Sequence, residues 1–178
     1  MHPPSYTDQV LVTLANDPVL SRLGRVVVAP PQPLDVLSAY ALRQAVEVAL
    51  GCSSDAAPPR LIIWAFSAGC VGAAALANAW QRQGSVLALF MVDGWGVPRV
   101  PGVPVHRLSH DRMTHDTSRW LGAGDLDFYA DPGVPHLQLW QQPQAVEGWA
   151  LTPGQPPTRL SAADFLCRRS RAYLESRP

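Results

Sequence analysis

The sequence predicts an α/β protein: a three-layer sandwich whose central, mostly parallel sheet has about five to six strands. Two observations lead there. Short apolar runs with no polar alternation, such as LIIW at 61–64 and VLALFMV at 86–92, read as strands buried on both faces. Between them lie longer segments with helical spacing or alanine enrichment, and strands alternating with helices imply parallel crossovers. The length of 178 residues suits a single domain spanning 1–178.

Taken in order, RVVVA at 25–29 is β-branched, closes on proline and reads as a buried strand. Residues 34–50 carry apolar side chains at Val36, Leu37, Tyr40, Ala41, Ala45, Val46, Val48 and Ala49, close to helical spacing. Residues 61–64 form the next strand and 68–83 the next helix, with Gly84 as its stop. The strand 86–92 ends at Asp93, and a shorter strand, PVHRL, occupies 104–108. A short helix is expected at 117–121, a strand at 126–129 and a helix start at 136–140. The last helix runs over 161–174, with Ser161 and Asp164 spaced as a capping box.

Composition narrows the function classes. The chain is 47% hydrophobic and 16% charged, enough apolar content for a sizeable core. Fourteen basic residues balance fourteen acidic ones, without the basic excess of a nucleic-acid binder. Arg168, Arg169 and Arg171 have Asp164 and Glu175 beside them and read as a solvated helix face. Cys52, Cys70 and Cys167 are scattered, which suits a reducing compartment. The N-terminal segment lacks a basic region, and no run approaches the roughly 18 apolar residues of a membrane helix. The expectation is a cytoplasmic protein with no membrane or nucleic-acid partner. The 18 prolines, about twice the usual ~5%, gather in short clusters that punctuate the elements.

The chemistry concentrates around AFSAG at 65–69. A serine between a buried strand and a helix is either an N-cap or a nucleophile. Small residues two before and two after Ser67 fit a sharp strand–turn–helix, which lifts the hydroxyl out of the sheet and aims the Ala68 amide at a developing oxyanion. Such a serine needs a base, and the base needs an orienting acid. His136, in PGVPHLQLW, heads a helix late in the chain and is the expected base. The acid is open between two strand-end aspartates. Asp111 is favoured, because the 25 residues from Asp111 to His136 hold one short helix and one strand. Asp93 is the alternative, or else caps the turn at Gly94-Trp95-Gly96. Trp95 and Trp120 are candidates for substrate binding, with plain packing as the other reading.

The elbow, the strand–helix alternation and the order Ser67, Asp111, His136 resemble the α/β-hydrolase superfamily over roughly residues 25–145. VHRLSHDRMT is similar to that superfamily's strand-then-acid loop, and PGVPHLQLW to its histidine loop. The resemblance implies a small, lidless serine esterase or thioesterase acting on a small-molecule substrate without a cofactor. It differs in having Ala65 at the first elbow glycine and about five readable strands rather than eight. The second oxyanion donor falls in the loop Ala29-Pro30-Pro31-Gln32, where the prolines carry no N–H and Gln32 is left to supply it.

Two rival readings stand beside this one. His106, His110, Asp111, His115 and Asp116 are residue types that bind zinc or iron, and a metal-dependent hydrolase would use them. A hydrolase-like fold retained as a non-catalytic binding or scaffold module would need none of this machinery.

Overall fold

A computed structural model describes residues 5–22, 25–29, 34–51 and 58–176. Six strands form one mixed sheet: β1 (Leu61–Phe66), β2 (Val86–Val92), β3 (Val105–Ser109), β4 (Leu126–Ala130), β5 (Glu147–Leu151) and β6 (Thr158–Ser161), in spatial order 1-2-3-4-5-6. The first four are mutually parallel, whereas β5 runs antiparallel to β4 and to β6. The expectation of a mostly parallel sheet is therefore corrected. Sixteen residues, 131–146, join β4 to β5, and the helix within them, α5 (His136–Gln141), spans six. That is about 9 Å against about 16 Å for a strand, so this helix does not carry the chain back for a parallel crossover. Six residues, 152–157, join β5 to β6, and a parallel crossover needs a dozen or more.

The helices are α1 (Ser5–Asn16), α2 (Ala39–Leu50), α3 (Gly69–Trp80), α4 (Arg112–Ser118), α5 and α6 (Ala162–Glu175). Period-2 alternation along β2 divides the core. Ala88, Phe90 and Val92 pack in a cluster with Val10 of α1, Leu139 of α5 and Phe165 and Leu166 of α6. Leu89 and Met91 pack in another with Leu42 of α2 and Ala73, Leu76, Ala77 and Trp80 of α3. β2 is thus covered on both faces, as its unbroken apolar run demands.

Several boundaries moved. Residues 25–29 are not a strand: they lie outside the sheet, with Val26 and Val28 exposed. β-branched side chains favour an extended backbone, but a strand exists only where a partner completes the ladder. The helix expected over 34–50 is divided. A 3-10 turn at Asp35–Leu37 comes first, then Ser38 caps α2 by accepting from the Ala41 N–H at 3.3 Å. α4 begins five residues before the helix expected at 117, and residues 119–121 are a 3-10 turn. α1, β5 and β6 had no clear signature. β5 is only five residues long and β6 only four, which gives period-2 patterning little room. At the C-terminal helix, Ser161 Oγ accepts the Asp164 N–H at 3.0 Å, the first half of the expected box.

Candidate active site

The parallel strands β1, β2 and β4 lead into Ser67, Asp93 and His136 beyond their C-terminal ends, the position where α/β sheets hold ligands. Beyond β1 is Ser67, with φ +52°, in the left-handed region that costs a non-glycine residue energy. Its N–H donates to the Val92 carbonyl at 2.8 Å, and its carbonyl accepts the Cys70 N–H at 3.0 Å. The turn is therefore fastened to the end of β2 on one side and the start of α3 on the other. The N-cap of α3 is Ala68, with no side-chain cap bond, so Ser67 is not the cap of this helix. The close approach lies further along α3: a Cβ on Gly72 would run into the Val36 carbonyl oxygen, whereas one on Gly69 would meet nothing within 4 Å.

Beyond β2 is Asp93, also left-handed at φ +50°, with its N–H donated to Leu108 at 2.7 Å. Gly94 follows, where a Cβ would press on Cys70 Sγ at 2.9 Å; only glycine lets this turn settle against α3. Beneath the loop, the buried Arg107 guanidinium donates to the carbonyls of Val97 at 2.7 Å, Gly122 at 2.8 Å and, at the limit of bonding, Gly94 at 3.5 Å. Burial lowers the Arg107 pKa from its ordinary value.

His136 opens α5. Its Nε2 lies 3.2 Å from Ser67 Oγ, and its Nδ1 lies 2.8 Å from Asp93 Oδ2. The imidazole stacks on Phe66 at 4.7 Å, and Phe66 stacks on Trp140, one helical turn beyond His136, at 5.3 Å. The Asp93 carboxylate is only 2% exposed, while the His136 side chain is 38% exposed. The acid is dry and the base is accessible, which suits an orienting carboxylate and a proton carrier.

The assignment of Asp111 to the His136 ring is corrected in favour of Asp93. Asp111 instead caps α4: its Oδ1 accepts the Thr114 N–H at 2.6 Å. That bond, above all, holds its carboxyl below the usual aspartate range. The physical reason is adjacency. β2 is the hydrogen-bonded neighbour of the elbow strand and β3 lies one strand further out, so the residue ending β2 reaches the histidine first. The sequence carried a signal for this. Ser67 and Asp93 each end an apolar strand and precede a stretch of small residues, Ala68-Gly69 and Gly94.

The five-residue metal set does not assemble. His106 is buried between the Leu126 carbonyl, 3.1 Å from Nδ1, and the Tyr173 hydroxyl, 2.9 Å from Nε2; burial pulls its pKa down to about 4. His115 is buried against Tyr129 and its pKa is likewise pulled down to about 4, while Asp116 pairs with Arg112. Among the described residues, Asp93, His110 and His136 are the group whose potential donor atoms approach within 4.8 Å of one another. Their short distances are already accounted for by hydrogen bonds to one carboxylate. His110, weighed in the sequence only as a metal ligand, proves to be a direct neighbour of the site acid.

Ala68 is the N-cap of α3. Gln32 lies outside the described residues, as does Cys52. Trp95 is 67% exposed and donates to Thr117 Oγ1 at 3.2 Å; Trp120 is 83% exposed. Cys70 is completely buried and its thiol pKa is pushed far up by burial, which leaves it no role as a nucleophile beside Ser67. Among the described residues, no helix is long and apolar enough to cross a membrane.

Comparison with protein-family models, with characterised proteins and with solved structures finds no match to this chain.

Proposed function

We propose that this protein is a serine hydrolase that cleaves a carboxylic ester or thioester through Ser67, His136 and Asp93, on a small three-layer domain of α/β-hydrolase type. The observation that carries the reading is the Ser67 Oγ to His136 Nε2 distance of 3.2 Å, made by a serine held at φ +52°. A serine in a relaxed loop gives no reason for that strain; a nucleophile that must stand clear of its strand and helix does.

In the mechanism, Ser67 Oγ attacks the acyl carbon as His136 Nε2 takes the hydroxyl proton. Asp93 Oδ2 holds the Nδ1–H, which fixes the tautomer and stabilises the imidazolium. The Ala68 amide at the head of α3 is the expected oxyanion donor. The imidazolium then returns its proton to the leaving alcohol or thiol, and a water repeats the sequence on the acyl-enzyme. The exposed His136 edge favours small, accessible substrates over folded peptide.

The test is labelling with a fluorophosphonate, followed by peptide mass spectrometry, on wild type and Ser67→Ala. Expected is one adduct on Ser67 in the wild type and none in the variant. No adduct, together with no turnover of p-nitrophenyl esters or acyl-thioesters, would sink the enzyme and leave the binding-module reading. Chelator should change neither rate.

A further inference from the structure

The Asp93 carboxylate is held by more than its bond to His136. Its Oδ1 accepts the backbone N–H of His110 at 2.9 Å, and its Oδ2 accepts from His110 Nδ1 at 3.0 Å as well as from His136 Nδ1 at 2.8 Å. One residue thus grips both carboxylate oxygens. The same residue's carbonyl accepts the Val134 N–H at 2.9 Å, two residues before His136. On the far edge of the His110 ring, Nε2 lies 3.4 Å from Asp111 Oδ2, and Asp111 is fixed by its cap on α4. Gly133 adds to this, since a Cβ there would come within 3.0 Å of the Asp111 Cβ.

We propose that His110 is a positioning residue for the catalytic acid: its ring and amide together fix the plane of the Asp93 carboxylate, and so the orientation of His136 toward Ser67. The geometry requires such a clamp. A carboxylate rotates freely about its Cβ–Cγ bond, and a rotated Asp93 would offer Nδ1 of His136 a poorer acceptor. With Oδ1 tied to the His110 amide and Oδ2 to the ring, one orientation remains, and Oδ2 keeps a lone pair for His136. The stack of His136 on Phe66 restrains the base's plane from another side. The groups that face the His110 ring are Asp93, Asp111 and His136; the nearby Arg112 is occupied by Asp116 and Tyr129.

This inference deepens the serine-hydrolase reading and rests on it for the word catalytic, but the clamp itself is testable without turnover. The experiment uses the full chain with ¹⁵N-labelled histidine, as wild type, His110→Ala and His110→Asn. An asparagine amide places an N–H close to where Nδ1–H stood. By NMR, the hydrogen-bonded Nδ1–H of His136 should resonate far downfield in wild type and in His110→Asn, and should broaden or move upfield in His110→Ala. In steady-state ester hydrolysis, His110→Ala should lose about 10- to 100-fold in kcat, the scale set by small misplacement of reacting groups. KM should stay within about two-fold, and His110→Asn should recover most of the loss. A His136 signal and a kcat unchanged in His110→Ala overturn the proposal. So does an asparagine variant that folds, by its amide spectrum, yet behaves like alanine in both measurements. A wild type with the expected downfield proton but no turnover counts against the hydrolase and leaves the clamp standing.

Discussion

Asp93 Oδ2 lies 2.8 Å from His136 Nδ1, although 43 residues separate the two in the chain. The bond joins the end of β2 to the start of α5. It is made by a carboxylate almost wholly removed from water, where a hydrogen bond to a developing imidazolium counts for most. The competition between two aspartates for this place yields a direct prediction.

Asp93→Asn should lower ester hydrolysis by about four powers of ten, because an amide can present the wrong tautomer of His136 to Ser67. Asp111→Ala should cost no more than a few-fold in rate. It should instead lower stability by about 1 kcal/mol through the lost cap of α4. Rates and urea midpoints measured on both variants separate the two roles; comparable rate losses would reverse the assignment.

Ser67→Ala and His136→Ala should each remove several powers of ten of activity, and the double variant should be little worse than either. Groups acting in one proton transfer fail as a unit. Single-site effects that multiply in the double variant would show that the two residues do not share a step.

The strained elbow predicts an order of stability. At φ +52°, any side chain with a Cβ is penalised by about 1 kcal/mol or more relative to glycine. Ser67→Gly should therefore melt above Ser67→Ala, although glycine ordinarily destabilises by its greater freedom in the unfolded chain. Thermal unfolding of the pair decides it, and an alanine variant that melts higher refutes the strain.

Acid should unfold the protein partly through His106. Its pKa is pulled down to about 4 in the fold against an ordinary 6.5, so the unfolded chain binds the proton more readily. Stability from this group is fully present above pH 6.5, declines as pH falls through the window to about 4, and is gone below it. The integrated loss is about 3 kcal/mol. His106→Gln keeps polar atoms facing Leu126 and Tyr173 and should flatten that part of the stability–pH curve. An unchanged slope between pH 4 and 6.5 in the variant would remove His106 as the cause.

Gly72→Ala should destabilise by about 1–3 kcal/mol, because the added Cβ meets backbone, the Val36 carbonyl, which cannot rotate aside. Chemical denaturation measures it. A neutral result would mean that the 3-10 turn at Asp35–Leu37 yields easily and does not brace α3.

What the sequence determined by itself was local. Continuous apolar runs made strands of both LIIW and VLALFMV, but only VLALFMV is buried throughout; LIIW, expected to be covered on both faces, is half-buried at the end of the described sheet. A serine set among small residues at a strand–helix junction had to sit on a tight turn. His136, heading its own short helix, was legible for the same reason: its neighbours dictate its element. Pairing was not legible. Nothing in RVVVA says whether another strand lies beside it, and among the described residues none does. The chain's own spacing left Asp93 and Asp111 both open, since both follow strands, and the glycine after Asp93 was the one hint between them. Only the lateral order of the sheet puts Asp93 beside the elbow, and only the cap of α4 withdraws Asp111 from the choice. His110 was hidden most deeply, for its partners come from the end of β2, the start of α4 and the loop before α5. Hydrogen bonds of that kind depend on where strands lie across the sheet, a quantity that tertiary packing sets and that distance along the chain does not encode.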